Sequence, residues 1–357
     1  MDKAYRTYSL IILALVALAL VPVAVLSVVI GPPIGDLART SLSVPRDFAW
    51  EEPQQELAAD ITFARKYQHY ADVVVLGDSF SQHDPVRVGA WVDHFQALTG
   101  YSITVLHLDN GGIADLVASP GFSAFPPRLV VLESVERLMG SRLDGTAPCA
   151  VALPRALPPL VLAPRPLPAR PVRWSEMMPP FHLLYTLRYY THAVLFALRG
   201  QEPAGPRLAV RWPMTVSDKF SNRRPDQLLT VAQDEVKRSW TERTVAGFRC
   251  AIQDLAAQVE ANGTTHFSFL PAPDKSTVYA PYVAAGSDLP PSRLAELEGD
   301  GHLPVAPSLA MLTHGAASGR DIYLPGDSHW GSAGQRLAAE AVLADLRRRG
   351  RLGGGER

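Results

Sequence analysis

The sequence predicts an α/β fold with a central, mainly parallel β-sheet that is covered by helices on both faces. Short apolar runs at residues 73–76, 103–108 and 129–132 have the length of strands. Residues 73–76 present four consecutive apolar side chains and no polar face, which is typical of a central parallel strand. Such a strand requires helices on both faces of the sheet, and a helical pattern follows the first run. With 357 residues, 47% of them hydrophobic, the chain is large enough to bury one full core.

The other elements are predicted from shorter patterns. A short helix at residues 61–70 should lead into the first strand, and apolar residues at helical spacing predict a helix at 86–99. A further strand is expected at residues 265–270. Three more helical stretches are expected at residues 181–198, 231–258 (one long helix or a pair) and 335–346.

The N-terminus carries a predicted membrane anchor at residues 10–30. This run is uncharged and almost wholly apolar, and Lys3 and Arg6 precede it. It is long enough to cross a bilayer as a helix. A cleavable signal peptide is the alternative, but residues 24–27 match its small-x-small cleavage site poorly. We therefore predict an uncleaved signal anchor over residues 1–30, with the rest of the chain outside the cytoplasm.

The chain after the anchor divides into three parts. Prolines and mixed charge at residues 31–56 predict a linker or stalk and not a packed element. Residues 57–348 form the predicted catalytic domain. Its dense prolines at 147–180 predict an irregular insertion, either a wall of a substrate groove or a merely variable loop. The arginine-rich end, residues 349–357, is expected to be a flexible tail.

The composition excludes several classes of protein. The net charge is −1 and like charges form no block, so nothing indicates a nucleic-acid binder. The histidines form no HExxH or comparable frame, and we expect neither a catalytic metal nor a cofactor. Cys149 and Cys250 are too far apart for a zinc knuckle or a CxxC redox pair. They form either one disulfide or two buried free thiols.

Two motifs at opposite ends of the predicted domain carry the candidate chemistry. The first is Gly77-Asp78-Ser79-Phe80-Ser81, which follows the first apolar run and sets the Ser79 hydroxyl at the carboxyl end of a strand. The second is the glycine-rich stretch at residues 325–334, which holds Asp327 and His329. A serine becomes a good nucleophile when a base takes its proton and a carboxylate fixes that base. For the first motif alone, an ordinary turn or helix cap is the alternative.

Together these motifs resemble the SGNH (GDSL-like) hydrolase superfamily, and more closely its alginate O-acetyltransferase branch, the AlgX/AlgJ-like proteins. In that branch a GDSF block is paired with an Asp-Thr/Ser-His-Trp block, which residues 327–330 match. The stretches PAPDKSTVY at residues 271–279 and LESVER at 132–137 support the narrower resemblance. The resemblance covers roughly residues 45–348 and implies an SGNH-like (flavodoxin-like) three-layer sandwich.

The resemblance also implies roles for individual residues. Ser79 would be the nucleophile, His329 its base, and Asp327 the carboxylate that holds the imidazole. The N–H groups of Ser79 and of Gly111 or Gly112 would form the oxyanion hole. Ordinary SGNH esterases complete this hole with the Asn of a Gly-x-Asn-Asp block, which this chain lacks. One oxyanion donor is therefore unassigned.

Five residues are candidate substrate contacts. Lys275 either orients the substrate or ties down its own loop, and Tyr279 and Trp330 should lie near the nucleophile. Arg223 and Arg224 lie in a basic segment that suits an anionic polysaccharide, since guanidinium groups bind carboxylates with two hydrogen bonds. A solvated loop is the alternative for this segment.

Two pairs of neighbouring residues have other expected roles. His83 and Asp84 compete for the role of base, but they are expected to point away from Ser79. Glu136 and Arg137 are expected to form a structural ion pair, which is the commoner role for such neighbours.

The resemblance implies a periplasmic O-acetyltransferase anchored in the bacterial inner membrane through residues 10–30. A membrane-bound O-acyltransferase would supply the acetyl group, because one spanning helix cannot export it. The acceptor would be an exopolysaccharide such as alginate. A carbohydrate acetylesterase with the same triad and a non-catalytic scaffold of a polysaccharide export complex are the alternatives.

Overall fold

The computed structural model describes residues 3–31, 34–38, 44–84, 88–143, 157–177, 183–199 and 209–353. Within these ranges the strands are Gln54–Leu57 (β1), Ile61–Ala64 (β2), Val73–Gly77 (β3), Ile103–His107 (β4), Leu129–Val135 (β5), Ala169–Val172 (β6), Ala209–Pro213 (β7), Gln227–Val231 (β8) and His266–Ala272 (β9). Five of them form the central sheet, in the order β2-β4-β3-β5-β9, and all neighbours are parallel. Two antiparallel pairs, β1-β6 and β7-β8, lie outside it.

Within the described ranges, helices pack on both faces of this sheet, and one further helix, α1, lies at the N-terminus. They are Lys3–Ile30 (α1), Trp91–Thr99 (α2), Ile113–Val117 (α3), Pro120–Ala124 (α4), Met139–Arg142 (α5), Leu183–Arg199 (α6), Glu242–Glu260 (α7), Lys275–Tyr279 (α8), Leu294–Glu298 (α9), Ser308–Ser318 (α10) and Ser332–Arg348 (α11). The helical stretch predicted at residues 231–258 starts at the last residue of β8 and contains a 3₁₀ segment, Ala232–Ser239, and most of α7.

The side chains of β3 show why the sheet is buried on both faces. Val73 and Val75 pack in one apolar cluster with residues of α2 and α11. Val74 and Leu76 point the other way and pack with residues of α3 and α7. Each fully buried side chain of this kind stabilises the fold by about 1.5–3 kcal/mol. The predicted three-layer sandwich with a parallel sheet is confirmed.

The edge strand β2 corrects one prediction. Residues 61–70 were expected to form a helix, but residues 61–64 pair in parallel with β4. The side chains of β2 are only partly buried or exposed. An edge strand of this kind lacks the continuous apolar pattern that marks β3.

The linker at residues 31–56 is packed in its described parts, so the prediction of an unpacked stalk is wrong. Leu37, Phe48 and Trp50 are each no more than 3% exposed. Trp50 packs with Ile34, and Leu37 packs with Phe48. Residues 34–38 and 44–56 therefore belong to the folded domain.

The apolar helix α1 extends the predicted anchor towards the N-terminus. Residues 4–30 are long and apolar enough to cross a membrane, and almost all of this span is exposed. Near its end, Ser27 Oγ lies 2.7 Å from Thr186 Oγ1 of α6. The Tyr185 hydroxyl of α6 donates a hydrogen bond to the Ala38 carbonyl at 2.8 Å. The helix α6 thus joins the end of α1 to the segment that follows it.

The predicted insertion and tail are more ordered than expected where they are described. Residues 169–172 of the insertion form β6, and Leu160 is buried. Arg349 Nη2 lies 2.8 Å from Asp345 Oδ2, so the tail is packed and not frayed at this point. Cys250 is disulfide-bonded, and Cys149 lies outside the described residues.

Candidate active site

The two sequence motifs meet at the carboxyl end of β3. Ser79 Oγ lies 2.7 Å from His329 Nε2, and His329 Nδ1 lies 2.5 Å from Asp327 Oδ1. When Nδ1–H donates to Asp327, Nε2 is left to accept the Ser79 proton. His83 Nε2 lies 2.9 Å from Asp93 Oδ1, so its ring is paired with that carboxylate. The structure brings the three predicted catalytic residues together in the order nucleophile, base and carboxylate.

A buried carboxyl group on β5 holds the turn that carries Ser79. Glu133 Oε2 accepts hydrogen bonds from the Asp78 N–H and the Ser81 hydroxyl, both at 2.9 Å. The Trp91 indole N–H donates to the Ser81 hydroxyl at 2.9 Å. A Cβ on Gly77 would lie 2.2 Å from Ser81 Oγ, so this close approach requires glycine. The turn is therefore held by two elements, β5 through Glu133 and α2 through Trp91.

The two carboxyl groups under this turn differ in charge. Burial, followed by the neighbouring Asp78 carboxylate, raises the pKa of Glu133 well above its ordinary value. Burial also acts to raise the pKa of Asp78, but the Arg142 guanidinium and the N–H groups of Phe80 and Val135 lower it overall. Glu133 thus keeps its proton under conditions where Asp78 is ionised, so one negative charge is buried here and not two.

A buried lysine holds the loop that carries Asp327 and His329. Lys275 Nζ donates to the carbonyls of Leu324 and Pro325 at 2.8 Å and of Asp327 at 3.2 Å. Burial lowers the pKa of Lys275 to about 7. Because the side chain is 2% exposed, it offers no surface to a polysaccharide. Of its two expected roles, the structure shows the one in which Lys275 ties down the loop.

A small opening lies over Ser79 and His329. Phe80 forms one wall, with ring centroids 4.4 Å from His329 and 4.6 Å from Trp330. Trp330 lines the opening but is 1% exposed, so it shapes the wall more than it offers a surface. The residues that line the opening are Ser79, Phe80, Gln82, Gly89, His329, Trp330 and Gln335.

The predicted glycine donors of the oxyanion hole are engaged elsewhere. The Gly111 N–H donates to the Leu108 carbonyl at 3.2 Å, and the Gly112 N–H donates to Asp115 Oδ2 at 2.9 Å. Neither glycine lines the opening over Ser79. Their role stays a prediction that requires these hydrogen bonds to be exchanged when substrate binds.

The other predicted substrate contacts also lie apart from the opening. Tyr279 is fully buried in the apolar core, so it cannot contact a polysaccharide and the prediction for it is wrong. Arg223 is 3.4 Å from Glu51, and Arg224 is 3.2 Å from Asp226. Both arginines are exposed, and their role in binding an anionic polymer stays a prediction.

Glu136 and Arg137 take part in a buried charge network, and they do not form the expected ion pair with each other. Arg137 lies 2.5 Å from Asp274, and Glu136 lies 3.4 Å from Lys237. The Asp274 N–H donates to Glu136 Oε2 at 2.9 Å, which joins the loops after β5 and β9. The role is structural, as expected, but the partners come from distant parts of the chain.

One group in the described part of the chain has the residue types and spacing of a metal site: Asp36, Asp327 and His329. His329 Nδ1 is already paired with Asp327 Oδ1. The oxygens of Asp36 accept hydrogen bonds from the backbone and hydroxyl of Ser328. The donor set is therefore used internally and is a hydrogen-bonded cluster.

Sequence reasoning missed three residues that support the site: Glu133, Arg142 and Asp36. The sequence contains one indication of a role for Glu133, since an acidic residue directly after an apolar strand lies at the end of the sheet where the site forms. It contains none for Arg142 and Asp36, since each lies far along the chain from the group it contacts, 64 residues for Arg142 and Asp78 and 292 for Asp36 and Ser328.

Comparison with known families agrees with this geometry. Residues 226–357 match the family described as SGNH hydrolase-like domain, acetyltransferase AlgX. This chain has an AlgX-like SGNH domain. The matched part of the domain includes Asp327 and His329, and β3 brings Ser79 to them from outside the matched range. No curated protein and no solved structure matches the chain.

The protonated state of Glu133 gives a stability prediction for the AlgX-like domain. A carboxyl group whose pKa is raised on folding binds its proton more tightly in the folded state, so its contribution to stability falls as the pH rises above the unfolded value near 4.5. Glu133→Gln should retain an acceptor for Asp78 and Ser81 and remove this titration. Unfolding free energies from urea titrations at several pH values should show the variant gaining on the wild type as the pH rises.

Glu133→Ala is the matched control for this prediction. It also lacks the titrating group, but it leaves the Asp78 N–H and the Ser81 hydroxyl without their acceptor, so it should be less stable than Glu133→Gln by about 2–4 kcal/mol at every pH. A Gln variant that loses as much stability as the Ala variant at high pH would contradict a protonated Glu133.

Proposed function

We propose that this chain is a serine-dependent O-acetyltransferase that moves an acetyl group through Ser79 to a polysaccharide hydroxyl. Its AlgX-like SGNH domain supports an acyl-transfer or esterase type of enzyme. The observation that carries the proposal is the hydrogen-bonded set of Ser79, His329 and Asp327 beneath an opening. A scaffold protein has no need of such a set, so this observation favours an enzyme.

The first half of the reaction loads the acetyl group. His329 Nε2 takes the proton of Ser79 Oγ as that oxygen attacks the carbonyl carbon of an acetyl ester or thioester. Asp327 accepts the Nδ1–H bond and stabilises the imidazolium that forms. When the tetrahedral intermediate collapses, the bond to the donor breaks, and its oxygen or sulfur takes the proton from His329. Acetyl-Ser79 and the free donor alcohol or thiol are left.

The second half transfers the acetyl group. A sugar hydroxyl gives its proton to His329 Nε2 and attacks the acetyl carbon, and Ser79 Oγ then leaves and recovers the proton. Water in place of the sugar would give acetate, which is the esterase alternative. The two outcomes use the same triad, so they differ only in which hydroxyl reaches the acyl-enzyme.

The membrane location is part of the proposal. The contact between Ser27 and Thr186 ties the end of α1 to the folded chain, which supports an anchor that is kept and not cleaved. Four apolar residues at helical spacing on α6 are also exposed, which suits a helix that lies beside a membrane. They are Leu184, Leu187, Val194 and Leu198. We place the catalytic domain in the periplasm, where a membrane-bound O-acyltransferase supplies acetyl groups and an exopolysaccharide such as alginate accepts them.

The test uses the full chain in detergent, with 4-nitrophenyl acetate as donor and an alginate oligosaccharide as acceptor. Mass spectrometry should detect acetylated sugar, and the sugar should lower the yield of free acetate. Ser79→Ala and His329→Ala should each reduce transfer by about 10³-fold or more. The double variant should be no worse than either single variant, because the triad acts as a unit.

Two outcomes would overturn the proposal in different ways. Acetate release that is unaffected by sugar would assign the chain to the esterases. A wild-type chain as inert as Ser79→Ala, with several acyl donors and acceptors, would assign it to the scaffold proteins.

A further inference from the structure

The segment that follows α1 contacts the loop that carries the base. The Ser328 N–H donates to Asp36 Oδ1 at 2.7 Å, and the Ser328 hydroxyl donates to Asp36 Oδ2 at 2.5 Å. The Asp36 N–H donates to Asp327 Oδ2 at 3.2 Å, on the side of that carboxylate away from His329. Asp36 therefore contacts both residues that precede the base in the chain.

The backbones of the two segments are also in close contact. The Ala38 N–H donates to the Gly326 carbonyl at 3.0 Å. A Cβ on Gly35 would lie 2.2 Å from the same carbonyl oxygen, and Gly35 has a φ of +94°, which favours glycine. Residues 34–38 thus fit against residues 326–328 with no room for a side chain at position 35.

We propose that Asp36 is a positioning residue for Asp327 and His329, so that the membrane-proximal segment completes the active-site loop. The inference rests on the proposed function, because it assigns Asp36 a role in acyl transfer. Asp327 needs its second oxygen fixed if its first is to hold the His329 ring, and the Asp36 backbone provides that contact. The Asp36 side chain holds Ser328 in place between the two.

The position of Asp36 in the chain gives this contact a further consequence. Asp36 lies six residues after Ile30, the last residue of α1. The element that would enter the membrane is thus followed directly by the element that holds the catalytic loop. A proper fit of residues 34–38 is needed for an ordered base, so a change in the anchor's exit path is expected to change the rate of acyl transfer.

The test compares three variants of the full chain with 4-nitrophenyl acetate. Asp36→Ala removes both contacts to Ser328, and Gly35→Ala forces the segment away from Gly326. Both should lower kcat by about 10- to 100-fold with little change in KM, because small displacements of a catalytic group have effects of this size. Asp60→Ala, which removes an exposed carboxylate elsewhere, should match the wild type.

The pH profile distinguishes positioning from a general loss of structure. Asp36 Oδ2 lies 3.9 Å from His329 Nδ1, and the other charged groups that act on or respond to Asp36 are Asp327, Lys275 and Arg137. Burial and the Asp327 carboxylate raise the pKa of Asp36, but both of its oxygens accept hydrogen bonds from Ser328, which favour the carboxylate form. Asp36→Asn removes this negative charge beside the ring, and its loss favours neutral imidazole. The acidic limb of kcat/KM should therefore move to lower pH, by about half a unit or more.

Some results would overturn this inference and leave the proposed function intact. An active wild type with Asp36→Ala within about twofold of its kcat would show that the contact is not needed for catalysis. An acidic limb that stays in place in a folded Asp36→Asn variant would show the same for its charge. An inert wild type would instead remove the proposed function itself.

The opening over Ser79 also contains a side-chain amide that makes no hydrogen bond through its nitrogen within the described residues. Two glutamines line this opening. Gln335 Nε2 donates to backbone carbonyls, including Val88 at 2.9 Å. Gln82 Nε2 is buried and has no hydrogen-bond partner in the described part of the chain. A buried donor without a partner is uncommon in folded proteins and calls for a ligand or a functional role.

We infer that Gln82 donates to the developing oxyanion of the acyl group on Ser79, so that it is a catalytic residue. It follows Ser79 by three residues and lines the same opening. The N–H groups of Gly111 and Gly112 are engaged, and the asparagine block of ordinary SGNH esterases is absent. Glutamine amides are suitable donors for a tetrahedral oxyanion.

Replacement of the amide tests this role. Gln82→Met keeps the length of the side chain and removes the donor, so kcat for 4-nitrophenyl acetate should fall by about 10²- to 10³-fold with KM nearly unchanged. Gln335→Met, the matched control, should lower the melting temperature more than Gln82→Met does. A Gln82→Met variant that keeps its kcat while the wild type shows Ser79-dependent activity would overturn the assignment.

Discussion

The hydrogen bond between Ser79 Oγ and His329 Nε2 is the contact on which the whole site depends. The two residues are 250 positions apart in the sequence, so only the fold brings them within 2.7 Å. The central strand β3 carries the serine turn to the carboxyl edge of the sheet, where open α/β folds bind their ligands. Glu133 then holds that turn, and Lys275 holds the opposing loop.

The buried strands were predictable because their sequences are compatible with few environments. An apolar run such as residues 73–76 has no polar face, and burial on both sides is the stable solution. The strand β5 continues for three residues beyond the predicted apolar run at 129–132. Its end was not predicted, because Glu133 and Ser134 are polar although both are fully buried. Residues 61–64 form an edge strand whose partly exposed side chains give no comparable pattern.

The site was predictable only in part, because some of its residues lie in local motifs and others contact the site from distant parts of the sequence. Ser79, Asp327 and His329 lie in motifs whose chemistry can be read locally. The residues that hold them cannot be found in this way, because Asp36 and Ser328 meet across 292 positions of sequence. Prolines dominate the sequence pattern around Asp36, while the tertiary packing of Leu37 and Trp50 makes that segment part of the domain.

In the proposed mechanism Ser79 carries the acetyl group covalently, and the most direct test is to trap that intermediate. The full chain is mixed with 4-nitrophenyl acetate, quenched in acid within the first turnover and mapped by peptide mass spectrometry. An acetyl group is expected on Ser79 in the wild type, and none on the same peptide in Ser79→Ala or His329→Ala. Turnover that persists in Ser79→Ala, or acetylation confined to other residues, would contradict it.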